Sequence, residues 1–183
     1  MVFTVPANFK NIYSSEDQSR QVVKIMSMYT HAPLRNSIIT DATGGIGGNS
    51  LIFCRSFGFV NVVEINKYNT ELIKRNLKDF KNKTIINGNY ILHFTTLKQD
   101  IVFLDPPWGI NYKQYTEIDL YLNEISIGKI ISLLYDKCDM VVLKAPKNFI
   151  VREINKWFIN IHPIYYSSNS KSRIVYNTII YHK

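Results

Sequence analysis

The chain is poor in cysteine. Its two, Cys54 and Cys138 in 183 residues, stand too far apart in sequence to read as a metal pair or a disulfide framework. A reducing, intracellular setting is expected. The histidines at positions 31, 93, 162 and 182 show no ligand spacing, so no metal site is expected. No apolar run approaches the ~18 residues of a membrane-spanning helix. The first ten residues, MVFTVPANFK, lack a basic region followed by an apolar stretch, so no secretory signal is expected. Repeats, linkers and low-complexity tracts are also missing. The expectation is one domain over 1–183, with an N-terminal segment and helix over 1–33 and a core over 37–183.

Acidic residues are scarce: 14 against 22 lysines and arginines, a net charge of +8. A basic surface favours a polyanion such as nucleic acid. The heavy use of Ile, Asn, Lys and Tyr also fits the codon bias of an AT-rich genome, and charge alone does not separate the two explanations.

Apolar residues recur in alternating strand and helix patterns. Ser15 followed by Gln18 is a capping pair, after which Val22, Ile25, Met26 and Tyr29 share a helical face; Pro33 closes that unit. The strand segments are SIITD (37–41), VNVVEI (60–65), KTIING (83–88), DIVFLD (100–105) and DMVVLKA (139–145). Between them, helices are expected over 47–58, over 67–80 with Leu72, Ile73 and Leu77 inward, and over 124–138. A shorter helix is expected over 148–157. Two final strands, 159–166 and 173–182, have no helix between them and read as a hairpin. This order predicts an α/β fold: a seven-stranded, mostly parallel sheet with one antiparallel hairpin strand and helices on both faces. It resembles the Rossmann-like methyltransferase fold, a likeness that carries no activity by itself.

Glycine totals eight residues, and four fall within nine positions, DATGGIGGN, between the first strand and the following helix. Gly44, Gly45 and Gly47 there permit a sharp turn and close approach of a ligand to the backbone. The spacing departs from G-x-G-x-x-G, which argues against a nicotinamide dinucleotide. Glu64 ends the second strand, where a carboxylate can accept both hydroxyls of a ribose. Asn89, with Tyr90 next to it after the third strand, stands where an amide meets a purine edge, though Asn-Gly-Asn is also good turn chemistry.

The fourth strand runs into Asp105, Pro106, Pro107, Trp108 and Gly109. An exocyclic nucleobase amine is a poor nucleophile because its lone pair is delocalised. It attacks a methyl sulfonium only when held in line with its N–H groups bonded. Asp105 and the Pro106 carbonyl are the candidate acceptors, the latter held rigid by the proline rings, and Trp108 is a surface on which the base can stack.

These stretches together resemble the trimethylguanosine synthase family, the RNA cap guanine-N2 methyltransferases. Asp41, Ala42, Gly45, Gly47, Gly48 and Asn49 are similar to its glycine loop, and Pro106 to Gly109 to its Pro-Pro-Trp-Gly. The likeness runs from Tyr13 to Asn148. Ser14, in IYSS, lies in a segment similar to the one that closes over cofactor and substrate in that family. The resemblance implies methyl transfer from S-adenosyl-L-methionine to the N2 amine of a 7-methylguanosine cap. The cofactor would be held by Ser14, Asp41, Gly44, Gly45, Gly47, Asn49, Glu64, Asn89, Tyr90 and Asp105. The cap would be held by Trp108, Tyr112, Lys147 and Asn148, with Arg152, Lys171 and Arg173 as further basic residues near the phosphates.

Two departures stand out. Asp105 occupies a position usually Ser in that family, and Asp there is commoner in adenine-N6 and ribosomal guanine-N2 enzymes. Only about a dozen residues precede IYSS, so a protein partner completing the cap pocket is one expectation. An amino-methyltransferase on rRNA, tRNA or DNA is the alternative enzyme, and a catalytically silent RNA- or partner-binding fold is the alternative of another class.

Overall fold

The computed structural model describes residues 3–6, 13–154, 156–168 and 171–183. The first helix, α1 (Glu16–Met26), starts at the expected box: Ser15 accepts from the Gln18 amide and the Gln18 side chain returns a bond to the Ser15 amide. β1 (Ile38–Asp41), α2 (Gly48–Ser56), β2 (Phe59–Glu64), α3 (Lys67–Asn76), β3 (Lys83–Asn87) and β4 (Ile101–Leu104) follow in alternation. A short hairpin, β5 (Tyr121–Leu122) and β6 (Ile125–Ser126), precedes α4 (Ile127–Leu133). The chain ends with β7 (Met140–Ala145), β8 (Phe158–Ser168) and β9 (Lys171–His182).

The sheet order is β3-β2-β1-β4-β7-β9-β8. The first five pair in parallel, and β9 runs antiparallel to both neighbours. This is the expected Rossmann-like sheet with a terminal hairpin. One face is covered by α1, α2 and α3, where Val22, Met26, Phe53 and Ile73 are fully buried. The other is covered by α4, with Ile127, Ile130, Ile131 and Leu134 inward. The chain reverses direction across the sheet between β1 and β4, so the loops after those two strands bound a crevice.

Two expected helices differ. The helix expected over 124–138 begins only at Ile127, because Asn123 (φ +48°) and Glu124 (φ +68°) form the two-residue turn of the β5–β6 hairpin. The helix expected over 148–157 is absent among the described residues. Ile118 and Phe149 form a bridge there, and the Trp157 indole donates to Ile131 O at 3.2 Å. Val151 and Ile154 are β-branched and weak helix formers, and they pack on the core cluster that contains Ile127, Ile130 and Ile131 of α4. Among the described residues no helix is long and apolar enough to cross a membrane.

Candidate active site

The turn after β1 is tied to β2. Gly44 N–H donates to Val63 O and Gly47 N–H to Gly44 O. A Cβ on Gly44 would lie 2.7 Å from Val62 Cγ1, so only glycine lets the turn press onto β2. Gly47 has φ +91° at the entry to α2, which again selects glycine.

Glu64, at the end of β2, is 9% exposed. Its two oxygens accept from Gly45 N–H and Asn66 N–H, each at 2.8 Å. A carboxylate held by two amides is fixed in direction, and each oxygen keeps a further lone pair. It lines a cleft of about 260 Å³ together with Ala42, Thr43, Asn89, Asp105 and Asn123.

Asp41 lies beneath the turn, 1% exposed, accepting from the Ser50 hydroxyl and from Thr43 N–H. Burial pushes its carboxyl up to about 7; the Ser50 and Thr43 bonds oppose that rise, and the Asp105 and Glu64 charges add to it.

Several expected ligand residues turn to structural partners. Asn49 accepts from Ser19 Oγ at 2.8 Å, locking α1 to α2. Asn89 Oδ1 accepts from Ile91 N–H and from Asn123 Nδ2, so this amide serves the turn and joins it to the β5–β6 hairpin across the cleft. Tyr90 is 2% exposed and its hydroxyl donates to Gln99. Burial raises its phenol well above the usual value.

Beyond β4, Asp105 N–H donates to Thr43 Oγ1 at 2.7 Å. Pro106 is buried and Trp108 half-buried. The Trp108 ring meets Tyr112 edge-on, with centroids 5.2 Å apart, and Tyr176 at 6.2 Å. Its indole N–H is buried without a partner among the described residues. Asn148 donates from Nδ2 to the carbonyls of Tyr112 and Tyr115, fixing the loop that follows Trp108. Tyr112 therefore serves first as a wall for Trp108. Lys147 is exposed next to this loop. Arg152 is paired with Asp119 at 2.7 Å, and Arg173 lies over the Tyr166 ring. The Lys171 side chain falls outside what is described.

The sequence reading passed over Thr43, Tyr176 and, above all, Lys144. Lys144 is 6% exposed on β7, donating to Asp105 Oδ2 at 2.7 Å and to Ser14 Oγ at 2.9 Å. A lone lysine within an apolar strand, VVLKA, was the available signal, since a buried lysine requires a partner.

The parallel sheet, the glycine turn packed on β2 and the carboxylate at the end of that strand define a Rossmann-like methyltransferase fold. Residues 36–178 match the RNA cap guanine-N2 methyltransferase family, and the chain belongs to it. It is 36% identical over 124 residues to the uncharacterized protein L320 of Acanthamoeba polyphaga mimivirus, covering 63% of this chain and 48% of that protein. The match thus reaches about half the length of that relative. Among solved structures, a precorrin-6y C5,15-methyltransferase from Geobacter metallireducens superposes with TM-score 0.70 at 13% identity, covering 99% of this chain and 94% of that one. A conserved hypothetical protein from Streptococcus pyogenes gives 0.61 at 20% identity, covering 89% and 94%. At such identities these two share the fold alone.

Proposed function

We propose that this protein transfers a methyl group from S-adenosyl-L-methionine to the exocyclic N2 amine of guanine in RNA, with the 7-methylguanosine cap as substrate. The observation that carries the reading is the placing of Asp105 in the same cleft as Glu64, in a chain of the cap guanine-N2 family.

The residues present fit the cofactor. Glu64, oriented by two backbone amides, offers its remaining lone pairs to a ribose diol. At Gly44 a Cβ would lie 2.7 Å from Val62 Cγ1, and Gly45 and Gly47 hold positive φ, so the turn that follows Thr43 presents backbone free of side chains. Buried Asp41 braces the turn from below, accepting from Ser50 Oγ and Thr43 N–H. When bound, the cofactor would supply an electrophilic methyl group with a thioether as its leaving group, and the proton lost by the methylated amine would pass to solvent.

The chain's own part is orientation. Asp105 and the Pro106 carbonyl accept from the amine N–H groups and keep its lone pair in line with the methyl. Trp108, braced by Tyr112 and Tyr176, holds the plane of the base. A cationic 7-methylguanine gains from the indole face as well as from stacking. Exposed Lys147 is set to meet the phosphate chain, and a protein partner would close the open side of the cap pocket.

One observation favours a second reading, an uncapped nucleobase amine in rRNA, tRNA or DNA. The Lys144 ammonium lies 5.5 Å from the Trp108 ring centroid, so that ring already faces a cation. The deciding experiment is mass spectrometry of products from capped and uncapped RNA and from DNA incubated with labelled cofactor. N2-methylation of capped RNA alone supports the proposal. Methylation of the uncapped nucleic acids alone supports the second reading, and no product on any of them rejects both.

A further inference from the structure

β7 has no need of a lysine. Its other five residues, Met140, Val141, Val142, Leu143 and Ala145, are all apolar and all buried. An apolar side chain at position 144 would continue the strand without the cost of drawing an ammonium from water, and buried ion pairs are often no more stabilising than such a replacement. The sequence nevertheless places a cation there and surrounds it closely.

The ammonium has three N–H donors and no acceptor. One donates to Asp105 Oδ2 and another to Ser14 Oγ. The ammonium also sits 4.7 Å from the Tyr176 ring centroid and 5.5 Å from that of Trp108. Asp105 is thereby held at two points, through its amide on Thr43 and through Oδ2 on Lys144. Its other oxygen, Oδ1, has no hydrogen-bond partner among the described residues. The side chain of Asp105 remains 21% exposed, on the cleft that Glu64 also lines.

Ser14 belongs to the segment just before α1. This segment lies against the start of α2: a Cβ built on Gly48 would lie 3.1 Å from Ser14 O. Lys144 thus joins three pieces distant in sequence: the chain over the glycine turn, the carboxylate after β4 and the aromatic wall.

We propose that Lys144 is a positioning residue of the reaction. It occupies Oδ2 of Asp105, so that Oδ1 is the oxygen presented to the reacting amine. Through Ser14 it also couples that orientation to the seating of residues 13–15 over the glycine turn. The first half rests on the amine-methylation reading; the coupling to Ser14 does not.

The test compares Lys144→Met, Lys144→Arg, Asp105→Asn and the Asp105→Asn/Lys144→Met pair, with Ser14→Ala. In Lys144→Met, kcat should fall by about 10–100-fold, the scale on which a small misplacement of a reacting group acts. The loss should fall on kcat rather than on KM for the nucleic acid, since Lys144 acts through Asp105. Lys144→Arg should recover most of the rate. The double variant should be no slower than Asp105→Asn, because Lys144 acts through that carboxylate. The double variant also removes both charges together, so its melting temperature should stay close to that of the native protein. Amide hydrogen exchange over residues 13–19 should quicken in both Lys144→Met and Ser14→Ala.

Native kcat in Lys144→Met, or rate losses that add in the double variant, would overturn the positioning role. Unchanged exchange at residues 13–19 would overturn the coupling. Exchange is measured without substrate, so it decides the coupling even if the native protein methylates none of the nucleic acids offered, an outcome that would sink the functional reading instead.

Discussion

The backbone amide of Asp105 donates to Thr43 Oγ1 at 2.7 Å, joining the loop after β4 to the glycine turn after β1. These loops meet where the strand order reverses, and this bond sets their separation. Thr43→Val keeps the shape and removes the acceptor, leaving a half-buried N–H unpaired. The expected cost is about 1–3 kcal/mol of stability, read as a lower denaturant midpoint with an unchanged slope. A midpoint equal to that of the native protein would mean water replaces the hydroxyl without loss.

In the proposed site Glu64 accepts from the ribose hydroxyls of the cofactor. Glu64→Gln removes the charge and replaces one of two acceptors by a donor, which then faces Gly45 N–H or Asn66 N–H. Calorimetry with S-adenosylhomocysteine should show binding weakened by roughly 1.5–3 kcal/mol, the worth of charge-assisted hydrogen bonds. Native affinity in this variant would move the cofactor elsewhere.

Asp41 predicts a pH dependence of stability. Its carboxyl is at about 7 in the fold against an ordinary 3.8, because burial disfavours the anion. The folded chain therefore retains a proton that the unfolded chain loses. This contribution is complete below the ordinary value, shrinks as pH rises from about 4, and is gone above about 7. Its full size is on the order of 4 kcal/mol. Asp41→Asn should flatten that fall in melting temperature between pH 4.5 and 8. The same slope in the variant would assign the titration to another group.

Trp108 and Asp105 should fail differently. Trp108→Ala removes a stacking surface present in ground and transition states alike, so KM for the base should rise, by roughly 1–3 kcal/mol in binding. The indole also packs against Tyr112 and Tyr176, so melting temperature should drop as well. Asp105→Ala should chiefly lower kcat, because its bond to the amine matters most as the nitrogen becomes tetrahedral. Steady-state kinetics on capped RNA separates the two; a Trp108→Ala protein with native KM would make the indole a packing residue only.

Much of the site was legible because its residues sit at strand ends in local patterns. DATGGIGGN follows a short apolar strand, Glu64 closes the next, and DPPW follows the fourth. Each marks a turn or strand end within ten residues, because turns and strand termini are decided by local backbone chemistry. Asn49, Asn89 and Tyr90 read as candidate ligand residues from the family-like loop and from their place after strands. Their side chains bond Ser19, Asn123 and Gln99, partners 30, 34 and 9 residues away.

Local sequence suffices for the alternation of strands and helices, the terminal hairpin and the glycine turn, since these follow from apolar periodicity and from backbone angles that only glycine adopts easily. Tertiary structure alone decided the rest. It left no helix among the described residues of 148–157, where packing of Val151 and Ile154 on the core outweighs their weak helical propensity. It also brought Lys144 to Asp105 and Ser14, 39 and 130 residues away. A buried ammonium must find its acceptors wherever the fold supplies them, and no local pattern records where those are.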